Sequence, residues 1–148
     1  MTAESGRTLA EAEIRALIEE QARAVRARDV DGSVSNYAPD VLLFDVVRPL
    51  RSVGSAAARK RLAAWFASFR GPIGYELRDF GITAGDDLAF SHSLNRVSAT
   101  TTDGRKLDMW WRATICYRRI DGAWQVTHEH ASVPFDAVSG RASLDLEP

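Results

Sequence analysis

From Ile73 onward the chain is written in period two. The stretches Ile73–Thr83, Leu88–Ala99, Leu107–Arg119 and Trp124–Val133 alternate between apolar and polar positions. Successive side chains of a strand point to opposite faces, so this pattern specifies four strands, each with one face to bury. The separators are Gly85-Asp86-Asp87, Thr102-Asp103-Gly104 and Asp121-Gly122. All are too short for a crossover, which leaves an antiparallel meander. Asp-Gly is a strong hairpin signal, because a tight turn demands positive φ values that this pair tolerates. Pro134 closes the sheet, and Ser139–Pro148 reads as a surface tail.

Such a sheet needs a cover, and the preceding residues supply it. Between Thr8 and Arg28, Ile14, Leu17, Ile18, Ala22 and Val25 recur at helical spacing, with the polar Gln21 on the same stripe. Asp31 is expected to cap a short second helix through Tyr37, closed by Pro39. Val41–Val47 is apolar on both alternating sets and reads as a buried strand, with Asp45 sharing a face with Val41, Leu43 and Val47. Ser55–Phe69 is a third helix, capped by Ser55 and stopped by Gly71-Pro72, with Ala58, Leu62, Trp65 and Phe66 along one side. The expected fold class is α+β: three N-terminal helices packed on a curved, mainly antiparallel sheet, with a concave pocket left at one end. It forms one domain, with a core of about residues 8–135 and a tail at 136–148.

Charge excludes some functions. Lysine plus arginine number 19 against 20 acidic residues, and a pI near 6.3 gives no reason to expect nucleic acid. Arg59-Lys60-Arg61 reads as a solvated helix face. The single cysteine, Cys116, permits no internal disulfide and suits a reducing compartment. The first residues carry no signal pattern, and no apolar run approaches the ~20 residues that span a bilayer. The expectation is a soluble, cytoplasmic protein with no membrane partner. His92, His128 and His130 are the three histidines, too few for a convincing metal site. No metal or cofactor is expected.

Three local motifs carry a resemblance. They are Arg28-Asp29-Val30-Asp31-Gly32 with Tyr37-Ala38-Pro39-Asp40-Val41, then Val53-Gly54 before the third helix, then Asp121-Gly122-Ala123-Trp124 with Val126-Thr127-His128-Glu129-His130-Ala131-Ser132. In this order they resemble the SnoaL-like, ketosteroid-isomerase-related branch of the NTF2-like (cystatin-like) folds. The closing strand is similar to that of the association domain of calcium/calmodulin-dependent kinase II and its bacterial relatives. The resemblance implies a cone with a ligand pocket, and a homodimer formed through the sheet face.

It also implies where chemistry would sit. Counting from Tyr37 places Asp45 at the position of the isomerases' general base, where an apolar setting would favour proton transfer; a structural ion pair with Arg48 or Arg112 is the alternative. The oxyanion-hole positions fall on Gln21 and on or near Cys116, both weak donors, so authentic steroid isomerisation is not expected. Arg112 alternates with Trp110, Thr114 and Cys116; if that face lines the cavity, its guanidinium could clamp an oxyanion. Asn95 and Ala131 stand where the kinase domain has arginines. On the closing strand, composition alone would bury the face of Trp124, Val126, His128 and His130, whereas the resemblance puts Glu129 and Ala131 in the pocket. The expected site therefore pairs Asp45 and Arg112 as catalytic groups with Gln21, Asn95, Trp110, Thr114, Glu129 and His130 as ligand contacts. Two functions follow: an isomerase, cyclase or hydro-lyase acting on a small, largely apolar molecule, or a non-catalytic binding or association module.

Overall fold

A computed structural model describes residues 2–148. Helix α1 (Ala3–Arg26) begins earlier than its apolar stripe, because the Thr2 side chain accepts the Ser5 amide proton and caps the first turn. The short α2 (Val30–Val34) is capped by Asp29, which accepts from Gly32 N, and not by Asp31. Strand β1 (Tyr37–Phe44) also starts and ends earlier than the apolar run suggested. A two-residue strand, β2 (Ser52–Val53), pairs with it. Helix α3 (Ser55–Ala67) follows, with Gly54 rather than Ser55 at its N-cap. The meander comes next: β3 (Phe69–Ala84), β4 (Leu88–Thr101), β5 (Lys106–Ile120) and β6 (Ala123–Ser132).

The sheet order is β2-β1-β6-β5-β4-β3, antiparallel except where β1 runs parallel to β6. The fold is the expected α+β cystatin-like arrangement, helices on one face of a bent sheet.

Two register shifts decide which side chains face the helices. A bulged residue reverses the facing of everything beyond it. In β3 the pairing shifts between Arg78 and Gly81, where Asp79 takes φ 54. In β6, Cys116 pairs with His128 and Tyr117 with Val126, leaving Thr127 as the extra residue. Trp124 and Val126 therefore face inward before the bulge, and Glu129 and Ala131 after it. The two expectations for this strand were both right, each over half its length. Trp124 is buried, at 5 % exposure, and so takes no part in an assembly face.

The core falls into two clusters. At one end Ala10, Ile14 and Ile18 of α1 lie directly on Val41, Ile115, Tyr117 and Trp124. At the other, Val25, Phe66, Phe69, Ile73 and Val97 form a second cluster flanked by Trp65, Tyr75 and Trp111. Arg28, at φ 58, ties this roof together. Its guanidinium donates to the carbonyls of Phe66, in the last turn of α3, and of Phe69 and Gly71, at the start of β3. Beyond β6, Phe135 bridges Ala142 and the remaining residues are largely exposed.

Candidate functional site

Between the roof and the bent sheet lies a cavity of ≈ 260 Å³. Its walls are mostly apolar: Val25 and Val34 from the first two helices, Leu62 and Trp65 from α3, Met109 and Trp111 from β5. Polar groups are few and converge. Gln21, Ser33, Tyr37, Tyr75 and Glu129 reach the interior, while Asp45 and Arg61 stand at the mouth with Val46 and Val47. An apolar hollow with a small set of placed polar atoms is the usual form of a small-molecule site.

Glu129 is its buried acid. The β6 bulge turns it inward beside Leu43, its partner across the parallel pair. Its Oε2 accepts the Tyr37 hydroxyl proton at 2.7 Å. The Tyr37 oxygen in turn accepts from Gln21 Nε2 at 3.4 Å, and the same nitrogen donates to the Ser33 carbonyl at 3.1 Å. Gln21 thus has its reason for interrupting an apolar stripe. Burial pushes the Glu129 carboxyl above its ordinary range, with the Asp45 charge adding to the rise; the Tyr37 hydrogen bond and His128 oppose it. Burial first, and Glu129 second, push the Tyr37 phenol up in turn.

A second polar pair lies across the cavity. Asn95, 3 % exposed, donates from Nδ2 to the Tyr75 hydroxyl at 3.2 Å, and its Oδ1 accepts from Ser93 Oγ at 2.6 Å. Burial holds the Tyr75 phenol far above its usual range, and the nearby Glu129 charge adds to this.

Several expected site residues stand elsewhere. Because β1 ends at Phe44, Asp45 falls past the strand, exposed at the rim. Its Oδ2 is ion-paired with Arg61 at 2.7 Å and its Oδ1 takes the Val46 amide. It is not a dry acid, and neither Arg48 nor Arg112 is its partner. Arg61, read from sequence as part of a solvated face, is the residue that meets it.

The Arg112 face is the outer one. Register sets Trp111, Ala113, Ile115 and Tyr117 inward, so Trp110, Arg112, Thr114 and Cys116 point away from the helices. Arg112 is exposed and donates to Ser132 Oγ at 3.2 Å. Trp110 is covered by the guanidinium groups of Arg78 and Arg96, whose carbons lie 4.9 and 5.7 Å from the ring centroid. His130 also faces outward, edge-on to Phe44 at 5.5 Å. Cys116 therefore cannot serve as an oxyanion-hole position. Of the expected contacts, the cavity gathers Gln21 and Glu129 directly and Asn95 through Tyr75. Among the described residues no cluster of three or more metal-ligating side chains occurs.

Sequence reasoning missed Tyr37 and Tyr75 as site residues. Tyr75 shares period-two phase with Ile73 and Leu77, the buried set of its strand, which was signal enough to place it inside.

Comparison with known proteins supports the architecture. Residues 14–136 match the family model described as SnoaL-like domain. The chain belongs to the SnoaL-like family. An NTF2-like protein of unknown function from Pseudomonas putida KT2440 is 40% identical, with TM-score 0.87 over 95% of this SnoaL-like chain and 98% of its own. A ketosteroid isomerase-like protein from Erwinia carotovora atroseptica SCRI1043 is 21% identical at TM-score 0.70, covering 82% and 93%. An uncharacterized protein with a cystatin-like fold from Caulobacter vibrioides is 21% identical at TM-score 0.72, covering 87% and 93%. No curated protein matches the chain. Among the described residues no helix is long and apolar enough to cross a membrane.

Proposed function

We propose that the cavity receives a small, largely apolar molecule and that Glu129 exchanges a proton with it. The observation that carries this reading is a carboxyl group on the floor of an apolar hollow, held through one oxygen by Tyr37 and free at the other. Burial raises its proton affinity toward neutral pH, where a general base works best. In such a step the C–H bond of the ligand breaks and an O–H bond forms on Oε1, while Oε2 keeps its bond to Tyr37. Return of the proton to another atom gives an isomerase; departure of a hydroxide, which takes that proton and leaves as water, gives a hydro-lyase; attack by the carbanion on a carbonyl carbon of the same molecule, whose π bond opens and whose oxygen takes up the proton, gives a cyclase. The role first assigned to Asp45 thus passes to Glu129.

Enolisation of β-tetralone tests the proposal. Deuterium incorporation from D₂O beside its carbonyl, followed by NMR, should run faster with the protein than in buffer. Glu129→Gln should slow the protein-dependent part by roughly a hundredfold or more, the usual scale of general-base catalysis. Equal rates in the two proteins would remove Glu129 from the chemistry.

A second reading, a non-catalytic binding or association module, draws on the Asp45–Arg61 pair, which neutralises the acid nearest the mouth. Under either reading we propose a homodimer joined through the outer sheet face, where Phe90 is 47% exposed opposite Cys116. Sedimentation would show the dimer, and Phe90→Glu would shift it to monomer. The single cysteine is compatible with the reducing, cytoplasmic setting that we propose.

A further inference from the structure

The Tyr75 hydroxyl is oriented by its neighbours. A phenol has one proton to give and lone pairs to receive. Asn95 Nδ2 donates to that oxygen at 3.2 Å, so the lone pair on this side is occupied. Ser93 Oγ donates to Oδ1 at 2.6 Å, which favours the amide orientation that turns its nitrogen to Tyr75. Asn95 is 3 % exposed and Ser93 8 % exposed, so water does not compete for either. No protein acceptor takes the Tyr75 proton among the described residues. The ring lines the cavity and leans on Trp111, 5.9 Å between centroids. The remaining direction for the proton is the hollow.

We propose that Tyr75 is the ligand's oxygen anchor and that Asn95, itself outside the cavity wall, is a positioning residue that aims the phenol proton inward. The ligand class follows: an uncharged, mostly apolar molecule with a carbonyl or ether oxygen. An anion would approach Glu129 on the same floor with no free cation there, since Arg61 is paired at the mouth. A hydrocarbon would leave the phenol proton unmatched, a penalty in a dry site. This rests on the reading that the cavity is a binding site, but not on Glu129 acting as a base.

The test compares α-tetralone with tetralin, two bicyclic probes that differ by one carbonyl. Affinities are read from the indole N–H signals of Trp65 and Trp111, both in the cavity wall. The wild-type protein should favour the ketone by roughly five- to tenfold, the worth of one buried hydrogen bond. Tyr75→Phe should bring the ratio to about one. Asn95→Asp should do the same with the tyrosine still present, since Ser93 and Tyr75 would both donate to the new carboxylate and hold it ionised. A ratio near one in the wild type, or a preference that survives Tyr75→Phe, overturns the anchor. Equal loss of both affinities in Asn95→Asp, with the ratio intact, overturns the positioning role and leaves Asn95 as packing. Failure of both probes to bind overturns the anchor together with the binding site. A ketone preference without β-tetralone exchange supports the anchor and sinks only the proton transfer.

Discussion

The two ends of the cone are built from the same strands and behave as different materials. At the closed end Ile14 and Val41, both at 0% exposure, meet Tyr117 with no room between them. At the open end the later half of α1, with α2 and α3, stands off the sheet and leaves ≈ 260 Å³. The contrast lies in the roof, not the floor: β5 contributes Ile115 to the packed end and Trp111 to the hollow one. Filled space supplies stability, and unfilled space needs it supplied from elsewhere, which is the role of Arg28 and its three carbonyls.

The contrast can be broken most forcefully by truncation. Ile14→Ala should cost about 2–5 kcal/mol in chemical denaturation, because a close-packed site cannot collapse around the lost atoms. Leu62→Ala, at the cavity wall, should cost about 1 kcal/mol or less, since a void already borders it. Equal costs would mean that the ends are not different in kind.

Tyr37→Phe ranks next. It strips the buried Glu129 of its donor, which should cost about 1–3 kcal/mol when the carboxylate is ionised and far less when it is protonated. A carboxyl NMR titration should find Glu129 raised further still, because the Tyr37 bond works against the rise.

Glu129→Gln should act with the opposite sign. The folded-state pKa is raised above the ordinary 4.5, so between those two values the folded protein binds more protons than the unfolded one. Wild-type stability therefore falls as pH climbs through that window. The glutamine variant still accepts from Tyr37 but carries no charge to bury. Its melting temperature should exceed that of the wild type by a few degrees at neutral pH, with the gap closing in acid; a constant gap would contradict the assignment.

Asp45→Asn should matter least, within about 0.5 kcal/mol, because its pair with Arg61 is partly exposed and screened by solvent. A larger loss would mean that the mouth is held shut by this pair and that rim and floor are one unit.

Much of this was legible in the sequence. Alternation fixes each strand's existence, and Asp121-Gly122 its turn, because both are local properties of the chain. The inward facing of β5 was less legible: Trp110 and Trp111 are adjacent and both aromatic, so only the contrast of Arg112 with Ala113 and Ile115 signals which side is wet. Asp45 was misplaced because the end of a strand depends on pairing with β6 and β2, which no window around residue 45 contains. Arg61 was missed for a similar reason. A helical arginine reads as solvated until its acidic partner, sixteen positions earlier, folds over to it.

The extra residue at Thr127 has a consequence for how such a chain can change. It works as a punctuation mark: before it the odd and even positions of the last strand have one meaning, after it the reverse. Were the strand to pair without the bulge while keeping this residue, both histidines would turn toward the hollow and the acid toward solvent, emptying the pocket of its chemistry while leaving the tryptophan end undisturbed. Substitutions that retune the ligand can therefore accumulate downstream of the mark without being read by the half that keeps the protein folded.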